Sequence, residues 1–210
     1  MSRYAQDERR DLVRSYRAAP SSAPTLCPPW TAAELAAHLV LRESSARAAL
    51  GALPPLRAGT DDRRRNYVAA HSYWDILDRL ERGAPAWSPF AFPPLVDPLN
   101  LIEYVVHHED LRRAAREWTA RGVPIDRQRA IWRQLRTTAR LSLHSAPVGV
   151  RLIWPGRADA VVRRGSDVVA VSGNPVELAL FALGRQRVAA VDYDGPDDAV
   201  AALRETRIAV

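Results

Sequence analysis

The chain has 210 residues, is 47% hydrophobic and carries a formal net charge of +6. This length and apolar content suit one large domain or two small ones around a buried core. All thirty basic residues are arginine, and they are scattered over predicted helix surfaces. A nucleic-acid-binding protein would show a dedicated basic stripe with interleaved aromatics, so that function class is disfavoured.

The N-terminus is charged and no apolar run reaches the length of a membrane span, so we expect a cytoplasmic protein that does not enter the membrane. The single Cys27 excludes an intramolecular disulfide, which agrees with a reducing compartment. Cys27 lies in the proline-rich loop Pro20–Pro29. We predict that it is a small buried residue of apolar character and neither a nucleophile nor a metal ligand.

The first two predicted helices follow from periodicity and capping. Residues 4–18 alternate charged and apolar side chains with a helical period. Thr31 and Glu34 form a capping box that starts a second helix, predicted to run to about Leu50. His38 shares a face of this helix with leucines and therefore points toward the core.

The middle of the chain combines short helices with a long irregular segment. Residues 54–62 indicate a linker, and residues 63–70 and 72–82 indicate two helices. The second of these helices begins with an S-x-x-D pattern at Ser72 and Asp75. Residues 84–98 form a loop rich in proline and aromatics. A loop of this length in a compact domain is often functional, so we expect it to wall a pocket. Its aromatic residues are Trp87, Phe90 and Phe92.

The segment Asp97–Arg113 carries the candidate site. Pro98 suits the first position of a helix, and Glu103, His107 and Asp110 then share one face. A carboxylate and an imidazole one turn apart in a buried helix need a partner, because an unpaired buried charge is costly. Two interpretations are open. The pair is either a salt bridge in the core or two ligands of a metal whose third ligand is His38.

Asp110 also has two interpretations. It lies one turn after His107, where it could orient an imidazole or act as a base near a metal. Its spacing equally suits a surface salt bridge with Arg113.

The pattern changes near Pro147, after a helix predicted to run from Pro124 to about Ser145. Short β-rich runs and turn signals follow, together with a helix capped by Asn174. We therefore predict an α+β protein with a helical domain at 1–146 and a small antiparallel α+β domain at 147–210. The predicted strands are 148–154, 160–164, 168–172 and 188–193, and the predicted helices of this domain are 174–183 and 197–204.

Three stretches of sequence resemble a known family: W-T-A-A-E-L-A-A-H-L-V around His38, L-I-E-Y-V-V-H-H-E-D-L-R-R-A around His107, and G-N-P-V-E-L-A-L-F-A-L-G-R-Q near the C-terminus. They resemble the DinB-like four-helix-bundle proteins, and most closely the mycothiol-dependent maleylpyruvate isomerase family of actinobacteria. The resemblance implies a DinB-like bundle followed by a C-terminal α/β domain. It also implies a divalent metal held by His38, Glu103 and His107. Zinc is expected first, with nickel or iron as alternatives.

Two features depart from the family pattern. The segment between the second helix and the Glu103 helix differs in length and is rich in proline. The helix also carries a second histidine, His108, which lies about 100° from His107 around the helix and so does not share the face of Glu103.

The resemblance further implies a small cellular thiol, similar to mycothiol, as cosubstrate. A metal lowers the pKa of a bound thiol and so makes the thiolate available at neutral pH. The implied function is a metal-dependent isomerisation or S-transfer on a small electrophilic substrate. The alternative is a metal-binding or ligand-binding module without turnover. We expect a monomer or homodimer whose partners are small molecules, with no nucleic acid.

Arg185 is the one residue of the C-terminal domain that the resemblance implicates. It would reach the active site and hold a substrate carboxylate, for which a guanidinium is suited. The other interpretation is an arginine at a helix C-terminus that interacts with the helix dipole.

Overall fold

The computed structural model describes residues 3–44, 60–86, 88 and 93–208; for residues 60 and 93–99 it describes the backbone alone. The chain divides into two compact units, Met1–Ala120 and Arg121–Val210. The first unit is helical in its described part, and the second combines helices with a four-stranded sheet. The expected α+β class is therefore confirmed.

The first unit is a bundle in which α1 packs against α5 and α4, while α2 packs against α3 and α4. The predicted capping boxes are present at Thr31/Glu34 and Ser72/Asp75, where they start α2 and α4. No helix in the described part of the chain combines the length and apolar character needed to cross a bilayer. The helices are α1 (Arg3–Ala18), α2 (Ala32–Glu43), α3 (Thr60–Ala70), α4 (Tyr73–Arg82) and α5 (Pro93–Arg112).

Two predicted helix boundaries differ from the structure. Helix α5 begins at Pro93 and not after Asp97, so Pro93 and Pro94 occupy the first turn, where prolines are tolerated, and Pro98 lies in the second turn. Helix α2 ends at Glu43, before the predicted Leu50, with Ser44 at its C-cap. The rest of that prediction, and the expected pocket wall of Trp87, Phe90 and Phe92, lie outside the described residues.

A buried polar cluster joins three helices of the bundle. The Arg9 guanidinium on α1 lies 3.0 Å from the Glu43 carboxylate on α2, and its Nε donates to the Tyr104 hydroxyl on α5 at 3.1 Å. The Tyr104 hydroxyl in turn donates to Glu43. Gly83 (φ +82°), which follows α4, lies against the Arg9 guanidinium, where a Cβ would collide with it. The cluster holds its charges in pairs away from water.

The second unit begins earlier than the predicted boundary at 146/147. Helix α6 (Ile125–Ser142) packs on α7 (Pro175–Ala182) and on β2, and the Trp132 and Trp154 rings lie 6.2 Å apart. The helical pattern showed that α6 has an apolar face, with Ile131 and Leu135 fully buried, but not which partner covers it. The structure places α6 in the unit that contains the sheet.

The sheet is mixed and not antiparallel as predicted. Its strand order is β2-β1-β3-β4; β1 pairs antiparallel with β2 but parallel with β3, and β3 pairs antiparallel with β4. Strand β3 lies beside β1 on the side away from β2 and runs in the same direction as β1. The strands are β1 (Val150–Trp154), β2 (Ala158–Arg163), β3 (Val169–Ser172) and β4 (Asp192–Asp194), and the last helix is α8 (Asp197–Glu205).

The predicted fourth strand at 188–193 is mostly wrong. Val188 and Ala189 donate backbone hydrogen bonds to Arg185 O, and Val191 donates to Ala189 O, so these residues form turns after α7. Only Asp192–Asp194 pairs with β3. The β-branched residues that suggested a strand are a weak signal, because β-propensity mainly reflects packing.

The buried cluster predicts a large effect of replacing Glu43. The substitution Glu43→Ala removes the carboxylate beside Arg9, whose side chain is 7% exposed, and leaves a buried charge unpaired. We expect a loss of about 3–5 kcal/mol in the free energy of unfolding, measured by urea denaturation of the full chain. The control Asp62→Ala breaks an exposed pair with Arg65 on α3 and should cost less than about 1 kcal/mol. Equal effects of the two substitutions would contradict the prediction.

Candidate metal centre

Helices α2 and α5 bring the three predicted ligands together. One donor atom each from His38, Glu103 and His107 lies within 4.8 Å of the other two. His107 Nε2 lies 3.3 Å from Glu103 Oε2, and the His38 and His107 ring centroids are 5.3 Å apart. Glu103 and His107 meet through the helical spacing of α5, whereas His38 arrives from a helix more than sixty residues away. We call these residues the triad.

His38 is held by its own helix start and by an aromatic neighbour. The capping box at Thr31 fixes where α2 begins and hence which face His38 occupies. The centre of the Trp30 ring lies 5.1 Å from the centre of the His38 imidazole. The Arg64 guanidinium lies 4.2 Å from the centre of the same Trp30 ring. The His38 side chain is half-buried, so its ring is packed but not sealed.

The second nitrogen of His107 faces a different set of groups. Its Nδ1 lies 2.8 Å from Asp110 Oδ2, and the Cys27 thiol donates to the same oxygen at 3.2 Å. Asp110 is fully buried. Of its two interpretations, the structure therefore supports the acceptor that orients an imidazole. Arg113 pairs with Glu109 at 2.6 Å.

Cys27 is the site residue that sequence reasoning missed. It is half-buried, and its thiol donates a hydrogen bond to the fully buried Asp110 carboxylate. The prediction of a buried residue with apolar contacts alone is therefore wrong. Donor atoms of Cys27, His107 and Asp110 form a second group within 4.8 Å of one another. Cys27 and Asp110 are 83 residues apart, and no local pattern signals that contact. Only the path of the 20–30 loop, where Leu26 N donates to Asp110 O at 2.9 Å, brings the thiol there.

The environment sets different charge states within the triad. Burial, together with the nearby His107, lowers the pKa of His38 to about 3, so its imidazole is neutral. Burial alone would raise the pKa of Glu103, but the Arg42 charge and the hydrogen bond with His107 hold that pKa well below its usual range. Burial likewise opposes a charge on His107, but hydrogen bonds with Asp110, Cys27 and Glu103 outweigh it and raise the His107 pKa. The triad thus combines an ionised carboxylate, a neutral His38 imidazole and a His107 imidazole that holds its proton more strongly than usual.

His108 belongs to a separate network, as its angle around the helix predicted. Its Nδ1 lies 3.0 Å from Glu8 Oε1 and its Nε2 lies 2.7 Å from Ser15 Oγ, both on α1. These contacts attach α5 to α1. His108 is therefore a buried packing residue with polar partners outside the triad.

Arg185 lies in the second unit, directly after α7. Its Nη1 donates to Leu183 O at 2.6 Å, a contact typical of an arginine at a helix C-terminus. This contact agrees with the second of its two interpretations. The carboxylate-binding role that the resemblance implied stays a prediction.

The donor set of the triad fits a divalent metal. Two imidazoles and one carboxylate are ligand types that zinc, nickel and iron accept. The Glu103 side chain is 34% exposed, so exogenous molecules have access to the ligand side of the triad. On the far side of His107, the Nδ1 contact with a buried carboxylate is the arrangement that metal-bound histidines usually show.

The Asp110 contacts predict a stability effect that is independent of any ion. In protein treated with chelator, Asp110→Ala leaves the His107 Nδ1 and the Cys27 thiol without their acceptor. We expect a loss of about 1–3 kcal/mol in the free energy of unfolding, measured by urea denaturation. The matched substitution Asp78→Ala, at a half-exposed partner of Arg17, should cost less than about 1 kcal/mol. If Asp110→Ala costs no more than Asp78→Ala, the buried contacts do not stabilise the site.

Comparisons with known proteins bear on the fold of the chain. No family model and no curated protein matches the sequence. Two crystal structures of the mycothiol-dependent maleylpyruvate isomerase are similar to the chain, one of them a histidine-to-alanine mutant. Their TM-scores are 0.61 for the mutant and 0.59 for the other, with 16% and 15% sequence identity; each comparison covers 91% of this chain and 90% of the other. The chain therefore has the fold of the mycothiol-dependent maleylpyruvate isomerase, as the sequence resemblance implied.

Proposed function

We propose that the chain is a metal-dependent enzyme that uses a small cellular thiol, similar to mycothiol, to isomerise or thiolate a small electrophilic substrate. The observation that carries this proposal is the convergence of His38, Glu103 and His107 in a chain with the fold of a thiol-dependent isomerase. The proposed setting is the cytoplasm, and the proposed partners are small molecules.

The triad would hold the divalent ion, with zinc as the first candidate. Three protein ligands leave positions open for an exogenous ligand. A divalent ion supplies one chemical effect here, the lowering of a bound thiol's pKa, so that the thiolate nucleophile is available at neutral pH.

The residues around the triad have separate tasks in this proposal. Asp110 holds Nδ1 of His107 at 2.8 Å and thereby directs Nε2 toward Glu103. Cys27 donates to the other side of Asp110 and helps to fix that carboxylate. His38 supplies a neutral imidazole at neutral pH, because its pKa is lowered to about 3. These contacts preorganise the ligands before any small molecule arrives.

The chemistry of the substrate follows from the nucleophile. A thiolate forms a C–S bond at an electrophilic carbon, and the electron pair moves to the activating group of the substrate. Isomerisation requires that the same C–S bond breaks again after the adduct has rearranged, so the thiol is regenerated. S-transfer requires that the bond stays. Asp110 is proposed to act on the reaction only through His107, whose Nδ1 it holds, and Arg185 stays the residue that the resemblance implicates for a substrate carboxylate.

The metal proposal predicts which histidines determine metal content. Full chain purified from zinc-containing medium should contain about one zinc per chain, measured by inductively coupled plasma mass spectrometry. His107→Ala and His38→Ala should each lower the zinc content to a small fraction of that value, because two remaining ligands bind zinc weakly. His71→Ala should leave it unchanged, since His71 stacks on Tyr67 outside the triad. Stoichiometric zinc in both triad variants would contradict the assignment.

The thiol proposal predicts a spectroscopic signature and a product. After cobalt substitution, addition of mycothiol should produce a sulfur-to-cobalt charge-transfer band in the near ultraviolet. The band should persist in Cys27→Ser, which removes the protein's own thiol 3.2 Å from Asp110, and disappear in His107→Ala.

Mass spectrometry of the reaction then separates isomerisation from S-transfer. Isomerisation leaves the substrate mass unchanged and does not consume the thiol, whereas S-transfer adds the mass of the thiol. A protein with full cobalt occupancy that shows no band with any thiol would be a metal-binding module without this activity.

A further inference from the structure

His107 belongs to two groups of donor atoms. Its Nε2 lies 3.3 Å from Glu103 Oε2 in the triad, while its Nδ1 lies 2.8 Å from Asp110 Oδ2. The Cys27 thiol lies 3.2 Å from the same Asp110 oxygen and also hydrogen-bonds with His107. One donor atom each from Cys27, His107 and Asp110 therefore lies within 4.8 Å of the other two. We call these three residues the cysteine cluster.

The cysteine cluster differs from the triad in the chemistry of its ligand atoms. It offers a sulfur, an imidazole nitrogen and a carboxylate oxygen, all of which bind zinc-like ions in proteins. A thiolate is softer than an imidazole or a carboxylate and therefore favours soft metal ions. Asp110 and His107 are buried, but Cys27 is half-buried, so the cluster can be reached from the side of Cys27.

A buried tyrosine beside the cysteine cluster has a hydroxyl that needs a partner. Tyr16 on α1 is fully buried, and its hydroxyl has no hydrogen-bond partner in the described part of the chain. Burial raises the pKa of the Tyr16 hydroxyl, and the nearby Asp110 and Cys27 raise it further, so the hydroxyl lies close to the cluster. Such groups are rare in native proteins, because burial removes their contacts with water. An ion with three protein ligands keeps a water molecule, and that water would give Tyr16 its partner.

We propose that Cys27, Asp110 and Nδ1 of His107 form a second metal site, which takes a soft divalent ion and shares His107 with the triad. The ion replaces the hydrogen of the Cys27 thiol and the hydrogen between His107 and Asp110, and both leave as protons. Tyr16 is a positioning residue that holds the water of this ion. The site takes no part in the proposed reaction.

The shared imidazole determines the order in which the two sites fill. Two cations on one imidazole repel each other, so the second ion binds more weakly than the first. Zinc is expected to occupy the triad first, and protein purified without a soft ion holds zinc in the triad alone. Without the second ion, Cys27, Asp110 and His107 keep the hydrogen bonds described above.

The test is a cadmium titration of the full chain loaded with zinc, with a phosphine reductant that keeps Cys27 reduced and supplies no thiol. Cadmium is the probe because a cadmium-bound thiolate gives a sulfur-to-metal charge-transfer band in the ultraviolet difference spectrum. After gel filtration, inductively coupled plasma mass spectrometry gives the zinc and cadmium contents. The band should reach its maximum at about one cadmium per chain, with the zinc retained.

Four variants assign the cadmium to its ligands. Cys27→Ser keeps a donor to Asp110 but should remove the band and weaken cadmium binding by about tenfold or more. Asp110→Asn should weaken it by about tenfold, because a neutral oxygen replaces an anionic ligand. Asp78→Asn, the same substitution at a half-exposed partner of Arg17, should leave binding within about twofold. His38→Ala should lose the zinc of the triad but keep the band, since all three cluster ligands remain.

Tyr16→Phe separates a metal site from buried packing, because it removes only the hydroxyl. In protein treated with chelator, the thermal midpoint should stay the same or rise, since the hydroxyl has no protein partner to lose. Cadmium binding should weaken by about threefold or more, because the water of the ion loses a hydrogen bond. A lower midpoint in the chelated variant together with wild-type cadmium affinity would overturn the positioning role of Tyr16.

Two results would overturn the second site itself. One is the absence of a band with excess cadmium in folded, reduced protein. The other is cadmium uptake that expels an equal amount of zinc and is unchanged in Cys27→Ser, which would place the cadmium in the triad.

The outcomes also distinguish the second site from the proposed function. If cadmium gives the band in wild-type protein and in His38→Ala but no thiol-dependent reaction is found, the second site stands and the enzyme proposal fails. If thiol-dependent turnover is found but cadmium gives no band, the enzyme proposal stands and the second site fails.

Discussion

The burial of helix α5 is the constraint on which the first unit depends. Its last two turns carry consecutive ionisable side chains that are almost completely removed from water, and each of them therefore needs a partner. Helix α1 supplies Glu8 to His108, and the 20–30 loop supplies Cys27 to Asp110. Glu109 is paired with Arg113, which directly follows the last residue of α5. The neighbours of α5 are thus fixed by charge pairing as well as by apolar contact.

The same pairing gives His107 two different sides. Its Nδ1 is occupied by Asp110, which lies in the interior, while Nε2 faces Glu103 and the half-buried His38. A side chain held in this way cannot rotate without breaking a buried hydrogen bond. The polar groups required for stability on one side of the ring therefore preorganise the ligand atoms on the other side. Stability and candidate function share one network.

Sequence patterns predicted most elements but not their neighbours. The predictions of capping boxes at Thr31 and Ser72 and of a cap at Asn174 are confirmed, because capping is a local interaction within a few residues. The sequence patterns place α6 in the helical domain and predict an antiparallel sheet, and the structure differs on both. Both errors concern partners. An apolar stripe such as that of Ile131 and Leu135 shows that a face is buried, but it does not show what covers it.

The sequence by itself determined which side chains share the face of α5 and that His38 points inward from α2, because the helical period fixes angular position. It also determined the resemblance whose fold the structure confirms. Tertiary structure alone decided that His38 meets Glu103 and His107, that Cys27 contacts Asp110, and that Arg42 adjoins Glu103. These contacts join residues far apart in the chain. They depend on helix packing and on the path of a loop, which no pattern with a period of a few residues encodes.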